Sequence, residues 1–129
     1  MKPQDTASLK ALFEAIPELE LAVLIGSRAR KEATADSDWD IALQWHRRDS
    51  FSEQLAATEN LRRQLSHHLK VPEASIDLID LPRAGLTMRA VVAEEGIVLN
   101  AQDSLIWKRF LQRVWRELEE YYWDEIYAN

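Results

Sequence analysis

The stretch LAVLIGSRARKEATADSDWDIALQW, Leu21–Trp45, decides the fold. The apolar run from Leu19 to Ile25 has strand length and stops at Gly26. Ser27 is a good helix N-cap, so Arg28 to Ala33 is expected as a short helix, followed by a polar loop from Thr34 to Ser37. From Asp38 to Trp45 the chain alternates. Trp39, Ile41, Leu43 and Trp45 fall on one face, and Asp38, Asp40, Ala42 and Gln44 on the other. That spacing predicts a strand with two carboxylates on the same side, roughly 6.6 Å apart along the chain.

Outward from this stretch, helix and strand patterns interleave. Asp5 to Ile16 carries an apolar stripe, Leu9, Leu12, Phe13 and Ile16, with Asp5 or Thr6 as its cap. Phe51 to Lys70 is a helix with Leu55, Leu61, Leu65 and Leu69 as its spine, ended by Pro72. Ser75 to Leu81 is a short strand. Pro82 suits the first turn of a helix running to about Glu95, and Gly96 closes it before a last strand, Ile97 to Leu99. Asp103 to about Tyr127 is one long helix. The mixed order predicts an α/β (α+β) fold, a small mixed sheet flanked by helices with a long C-terminal helix. The whole chain, 1–129, is expected to be one domain, with a core at about 5–100 and an interface helix at about 103–127.

The composition narrows the function. The chain has 129 residues, 47% hydrophobic and 29% charged, which suits one globular domain. It has no cysteine, so thiolate metal sites and disulfides are excluded. No apolar run reaches a membrane span, and MKPQDTASLK lacks a signal-peptide core, so a cytoplasmic protein is expected. A net charge of -6 argues against direct nucleic-acid binding, which needs surplus cations.

Two carboxylates side by side repel unless a cation sits between them. Hard divalent ions such as Mg²⁺ take carboxylate oxygens together with waters and phosphates. Two such ions lie about 3.5–4 Å apart in phosphoryl-transfer sites. The same pair of acids also arises where both are solvated at a strand edge or cap a turn after Ser37. The Gly26-Ser27 turn adds a second feature. Gly26 removes a side chain that would bar close approach, and Ser27 brings a hydroxyl and a helix start whose free N–H groups favour an anion. A third acid, Asp77 in SIDLIDL, is costly in an apolar strand unless paired or ligated. If its strand lies beside that of Asp38 and Asp40, Asp77 reaches the same metal and can serve as general base. Asp80 is the rival, nearer the strand end and placed to cap before Pro82. Arg28, Arg30 and Lys31 are phosphate contacts or a solvated helix face, with Arg28 nearest the turn. His67 and His68, adjacent on a helix, cannot share a face as a metal pair.

Gly-Ser, ten residues, DWD and a later strand aspartate together resemble the polymerase β-like nucleotidyltransferase superfamily. GSRAR…SDWDIAL in so short a chain looks like its minimal nucleotidyltransferase (MNT) branch, over roughly residues 5 to 100. The resemblance implies ATP held through Gly26, Ser27 and Arg28. It also implies two Mg²⁺ held by Asp38, Asp40 and Asp77, and in-line attack on the α-phosphate with diphosphate leaving. Lys31 departs from it, standing where many relatives have a second glycine. The branch implies an antitoxin whose partner is a HEPN-domain ribonuclease toxin, inactivated when AMP is transferred to one of its tyrosines. Antitoxin action by complex formation alone, and a small-molecule nucleotidyltransferase, are the alternatives.

The last helix bears on the partner. Trp107, Leu111, Val114, Leu118 and Tyr121 recur at helical spacing, and Trp115, Tyr122, Trp123 and Ile126 widen the apolar surface beyond one stripe. Its distal part, about Trp115 to Tyr127, is expected to pack on the core in part and to dock a partner or a second copy.

Overall fold

The computed structural model describes residues 3–46, 50–100 and 104–127. Four helices, α1 (Pro3–Glu14), α2 (Phe51–Leu69), α3 (Leu86–Glu95) and α4 (Leu105–Tyr127), surround four strands. The strands are β1 (Leu19–Ile25), β2 (Trp39–Trp45), β3 (Ile76–Asp80) and β4 (Ile97–Val98), in the sheet order β3-β2-β1-β4. β1 runs antiparallel to both β2 and β4, whereas β2 and β3 are parallel. The sheet is therefore mixed, as the interleaved sequence requires.

Both faces of the sheet are covered. Alternate residues of β1 and β2, among them Ala22, Leu24, Trp39, Ile41 and Leu43, pack with Leu9 and Phe13 of α1 and Leu61 and Leu65 of α2. The opposite set, Leu21, Val23, Ile25 and Ala42, packs with Val92 of α3 and Phe110 and Val114 of α4. This explains why β1 reads as an apolar run broken only by Glu20, while β2 alternates. Both faces of β1 are apolar, whereas β2 places Asp40 and Gln44 beyond the cover of α3 and α4.

Several sequence expectations change. The helix expected over Arg28 to Ala33 is instead a hydrogen-bonded turn. Ala29 N and Arg30 N donate to Gly26 O at 3.1 Å, Glu32 N donates to Ser27 O at 2.9 Å, and Lys31 then takes φ +62°. A left-handed residue cannot propagate a right-handed helix, so the turn stops there. Lys31 occupies the position where the resemblance expected glycine, and its backbone conformation is one glycine adopts freely. Lys31→Gly is thus expected to stabilise the fold by about 1 kcal/mol, the left-handed penalty less the added freedom of the unfolded chain. Urea midpoints measured side by side check this; an unchanged or lower midpoint would refute it.

The helix expected from Pro82 to Glu95 is split. Leu81–Arg83 is one 3-10 turn, and α3 begins afresh after its N-cap, Gly85. Leu55 of the expected α2 spine is 53% exposed, while Leu61 and Leu65 are buried. Ser50 caps α2 by accepting from Glu53 N, and Lys70 closes it at φ 57°. α1 already begins at Pro3, so the expected caps Asp5 and Thr6 lie inside the helix, and the expected Asp103 start of the last helix lies outside the described residues. No helix among the described residues is long and apolar enough to cross a membrane.

Candidate active site

The three acids meet at one end of the sheet. β2 and β3 pair in a register that sets Asp40 opposite Asp77, and on the other side β1 sets Ile25 opposite Asp40. Gly26 follows directly at φ +76°, a conformation open to glycine. A β-carbon on Gly26 would lie 2.5 Å from Asp40 Oδ2. The missing side chain therefore clears the space directly above the central carboxylate. Asp40 is the half-buried member of the set, and Asp38 and Asp77 are exposed. The expectation that Asp77 is embedded changes here, because β3 is an edge strand and its carboxylate faces solvent.

The electrostatics follow from this placement. Burial pushes the Asp40 carboxyl above the usual carboxylate range, the negative charges of Asp77 and Asp38 push it further, and Arg30 opposes the rise. Arg30 itself is tied to Glu32 at 3.1 Å and to Glu95 of α3 at 3.3 Å. The site thus holds more negative charge than its own cations offset. Among the described residues no three acids or histidines converge closely enough to hold an ion by themselves. Mg²⁺ fits such a donor set, because it binds through one or two carboxylates and completes its shell with waters and phosphate oxygens.

The raised Asp40 pKa has a consequence for stability. A carboxyl whose pKa rises on folding keeps its proton to higher pH in the folded state. Its contribution to stability is therefore best below the usual carboxylate range and declines as pH rises through the window up to the raised value. Asp40→Asn removes that burden. Without metal, the variant is expected to match the parent at acid pH and to melt higher than it at neutral pH. Thermal melts across the window check this, and a variant that melts lower at neutral pH would contradict it.

Arg28, expected at the nucleotide, braces the loop before Asp38. Its guanidinium donates to Ser37 O at 2.7 Å and to Thr34 O at 3.5 Å, and it stacks 4.1 Å over the Trp39 ring. Only 8% of the residue is exposed. Arg28 is a clamp on the loop that delivers Asp38, through Nη2 alone, while its buried Nε has no hydrogen-bond partner among the described residues. The Ser27 hydroxyl has no partner among the described residues and stays available beside the Gly26 turn. Asp80, the rival acid, lies three positions further along β3, opposite Leu43, and pairs with Arg83 at 3.4 Å. His68 Nε2 lies 2.5 Å from Ser8 Oγ on α1.

One further residue carried no local signal in the chain. Asn100, 5% exposed, accepts from Ala22 N at 2.7 Å and donates to Leu19 O at 3.1 Å. β4 supplies only two paired residues, and the Asn100 amide continues the ladder beyond them beside the β1 bulge at Leu19/Leu21. It holds β1, the strand that leads into Gly26.

The chain is similar to known proteins. The family described as Polymerase beta, Nucleotidyltransferase matches residues 7–105. The protein adenylyltransferase MntA of Aphanizomenon flos-aquae is 30% identical over 109 residues, covering 80% of this chain and 71% of that protein. A crystal structure of a toxin–antitoxin complex with AMP-PNP contains a chain of TM-score 0.65 and 21% identity, over 92% of this chain and 89% of that one. A complex of tri-AMPylated Shewanella oneidensis HEPN toxin with MNT antitoxin gives TM-score 0.59 and 20% identity, over 89% and 87%. These two structures share the fold.

Proposed function

Because the chain belongs to the polymerase beta nucleotidyltransferase family, we propose that it is an antitoxin that transfers AMP from ATP to a tyrosine of a HEPN ribonuclease toxin. The observation that carries this reading is the register of Asp40 against Asp77 beside the side-chain-free Gly26 turn. A site built this way can seat a triphosphate against backbone and carry negative charge where a dication is needed.

Asp38, Asp40 and Asp77 would hold Mg²⁺. When bound, the metal neutralises triphosphate charge and lowers the pKa of the attacking hydroxyl. Gly26 lets the triphosphate approach the main chain, and the Ser27 hydroxyl donates to it. Arg28 keeps the Thr34–Ser37 loop, and with it Asp38, in place. Asp77 is solvent-facing at the sheet edge, where an acceptor can arrive, and takes the phenolic proton. The tyrosine oxygen bonds to the α-phosphorus, the bond from that phosphorus to the bridging oxygen breaks, and diphosphate departs.

The chain works as one minimal domain in the cytoplasm, with α4 as its docking element. Trp115, Tyr122 and Ile126 form one stripe on α4 and are exposed at 43%, 61% and 68%. Such aromatic anchors favour protein recognition. They also favour a second reading, neutralisation by complex formation alone.

The test incubates the protein with labelled ATP, Mg²⁺ and its HEPN partner beside the Asp38→Ala/Asp40→Ala variant. Label on the partner that disappears with the variant supports the enzyme. An unlabelled partner that both proteins neutralise equally well would replace it with the binding reading.

A further inference from the structure

A different face of α4 points to a second occupant. Its charges are segregated along its length. Lys108, Arg109, Arg113 and Arg116 lie in the first half, and Glu117, Glu119, Glu120, Asp124 and Glu125 in the second. This order opposes the helix dipole, which favours anions at the N-terminus and cations at the C-terminus. α2 follows the favourable order, with Glu53 in its first turn and His67 and His68 in its last. Within α4, Arg116 precedes Glu120 by four residues, the less favourable orientation for an ion pair. Among the described residues only Glu117 of these charges forms an ion pair, with Arg89 of α3. The fold leaves the rest uncompensated.

Arg109, Arg113, Glu120, Asp124 and Tyr127 lie on one stripe of the helix, by its 3.6-residue period. All are exposed, turned away from the buried Phe110 and Val114. We infer that this stripe pairs antiparallel with the same stripe of a second copy of the chain. A two-fold axis between Arg116 and Glu117 brings Arg109 to Asp124 and Arg113 to Glu120, each contact made twice. The same axis brings Trp123 and Tyr127, 62% and 63% exposed, toward Leu105 and Arg109 of the other copy. That adds apolar burial and cation–π contact to the ion pairs. A second copy fits best because the stripe is its own charge complement when reversed, which is what a closed, isologous dimer requires. The aromatic stripe of Trp115, Tyr122 and Ile126 stays outside this contact.

Sedimentation of the full chain tests the inference. The wild type is expected to be a dimer at low salt and to dissociate when 1 M salt shortens the Debye length to about 3 Å. Arg109→Glu/Arg113→Glu makes the stripe wholly acidic, and Glu120→Arg/Asp124→Arg makes it wholly basic. Each variant, its helix content verified by circular dichroism, is expected to be monomeric alone. Mixed in equal amounts, the two are expected to form a heterodimer. A monomeric wild type at low salt would overturn the inference. So would a dimer indifferent to either reversal, or variants that stay apart on mixing. Loss of toxin binding with self-association unchanged would assign the stripe to the toxin instead.

Discussion

Asp40→Asn is expected to reduce AMP transfer about 10³-fold, in line with the removal of one charged group from a preorganised phosphoryl-transfer site. The size follows from position. Asp40 is paired with Asp77 on one side and lies under Gly26 on the other, so no neighbouring acid can take its place. The substitution keeps shape and volume and removes a charge that the fold accommodates at a cost. The protein should therefore lose activity and, without metal, melt higher than the parent at neutral pH. Added Mg²⁺ should raise the melting temperature of the parent and leave that of the variant unchanged. Asp80→Asn is the control: that carboxylate pairs with Arg83 away from the site, and its variant should retain near-parental transfer. Transfer by Asp40→Asn within tenfold of the parent would mean that the central carboxylate is not a metal ligand.

Asn100→Ala is expected to have the largest effect on stability, a loss of about 2–5 kcal/mol. It strips partners from two buried backbone groups, Ala22 N and Leu19 O, and each orphaned group costs about 1–3 kcal/mol. Against a typical total of about 5–15 kcal/mol this is a large fraction. Chemical denaturation measures it directly. Asn100→Asp should be at least as damaging at neutral pH, because a carboxylate would face the Leu19 carbonyl that now accepts from Nδ2. A loss below about 1 kcal/mol for Asn100→Ala would show that water replaces the amide at that edge.

Much of this was readable along the chain. β1 has the bounds its apolar run suggests, Leu19 to Ile25, because Gly26 ends it and nothing inside the run opposes extension. α2 carries its own cap, Ser50, and its own apolar period. The acids were conspicuous because charged residues inside strand patterns are rare. Family resemblance to the nucleotidyltransferases rested on those same few residues, and the match over 7–105 agrees with it.

The failures share a cause. Arg28 to Ala33 has helical composition, but the segment must turn sharply to return the chain to β2. Tertiary closure places Lys31 at positive φ and Arg28 inward, against its charge. The split at Gly85 arises the same way, where Leu81 is drawn into the core before α3 begins. Nothing near Asn100 in sequence announces Leu19 and Ala22 as its partners, about eighty residues away.

Most strands and helices and the three carboxylates were legible along the chain, because strand period, caps and breakers act over a few residues. Tertiary packing set β3 parallel to β2 with Asp77 opposite Asp40, placed Gly26 over Asp40 and turned Arg28 onto the loop before Asp38. Strand pairing is chosen by burying both faces of the sheet at once. That choice depends on contacts between segments far apart in the chain, and local pattern does not specify them.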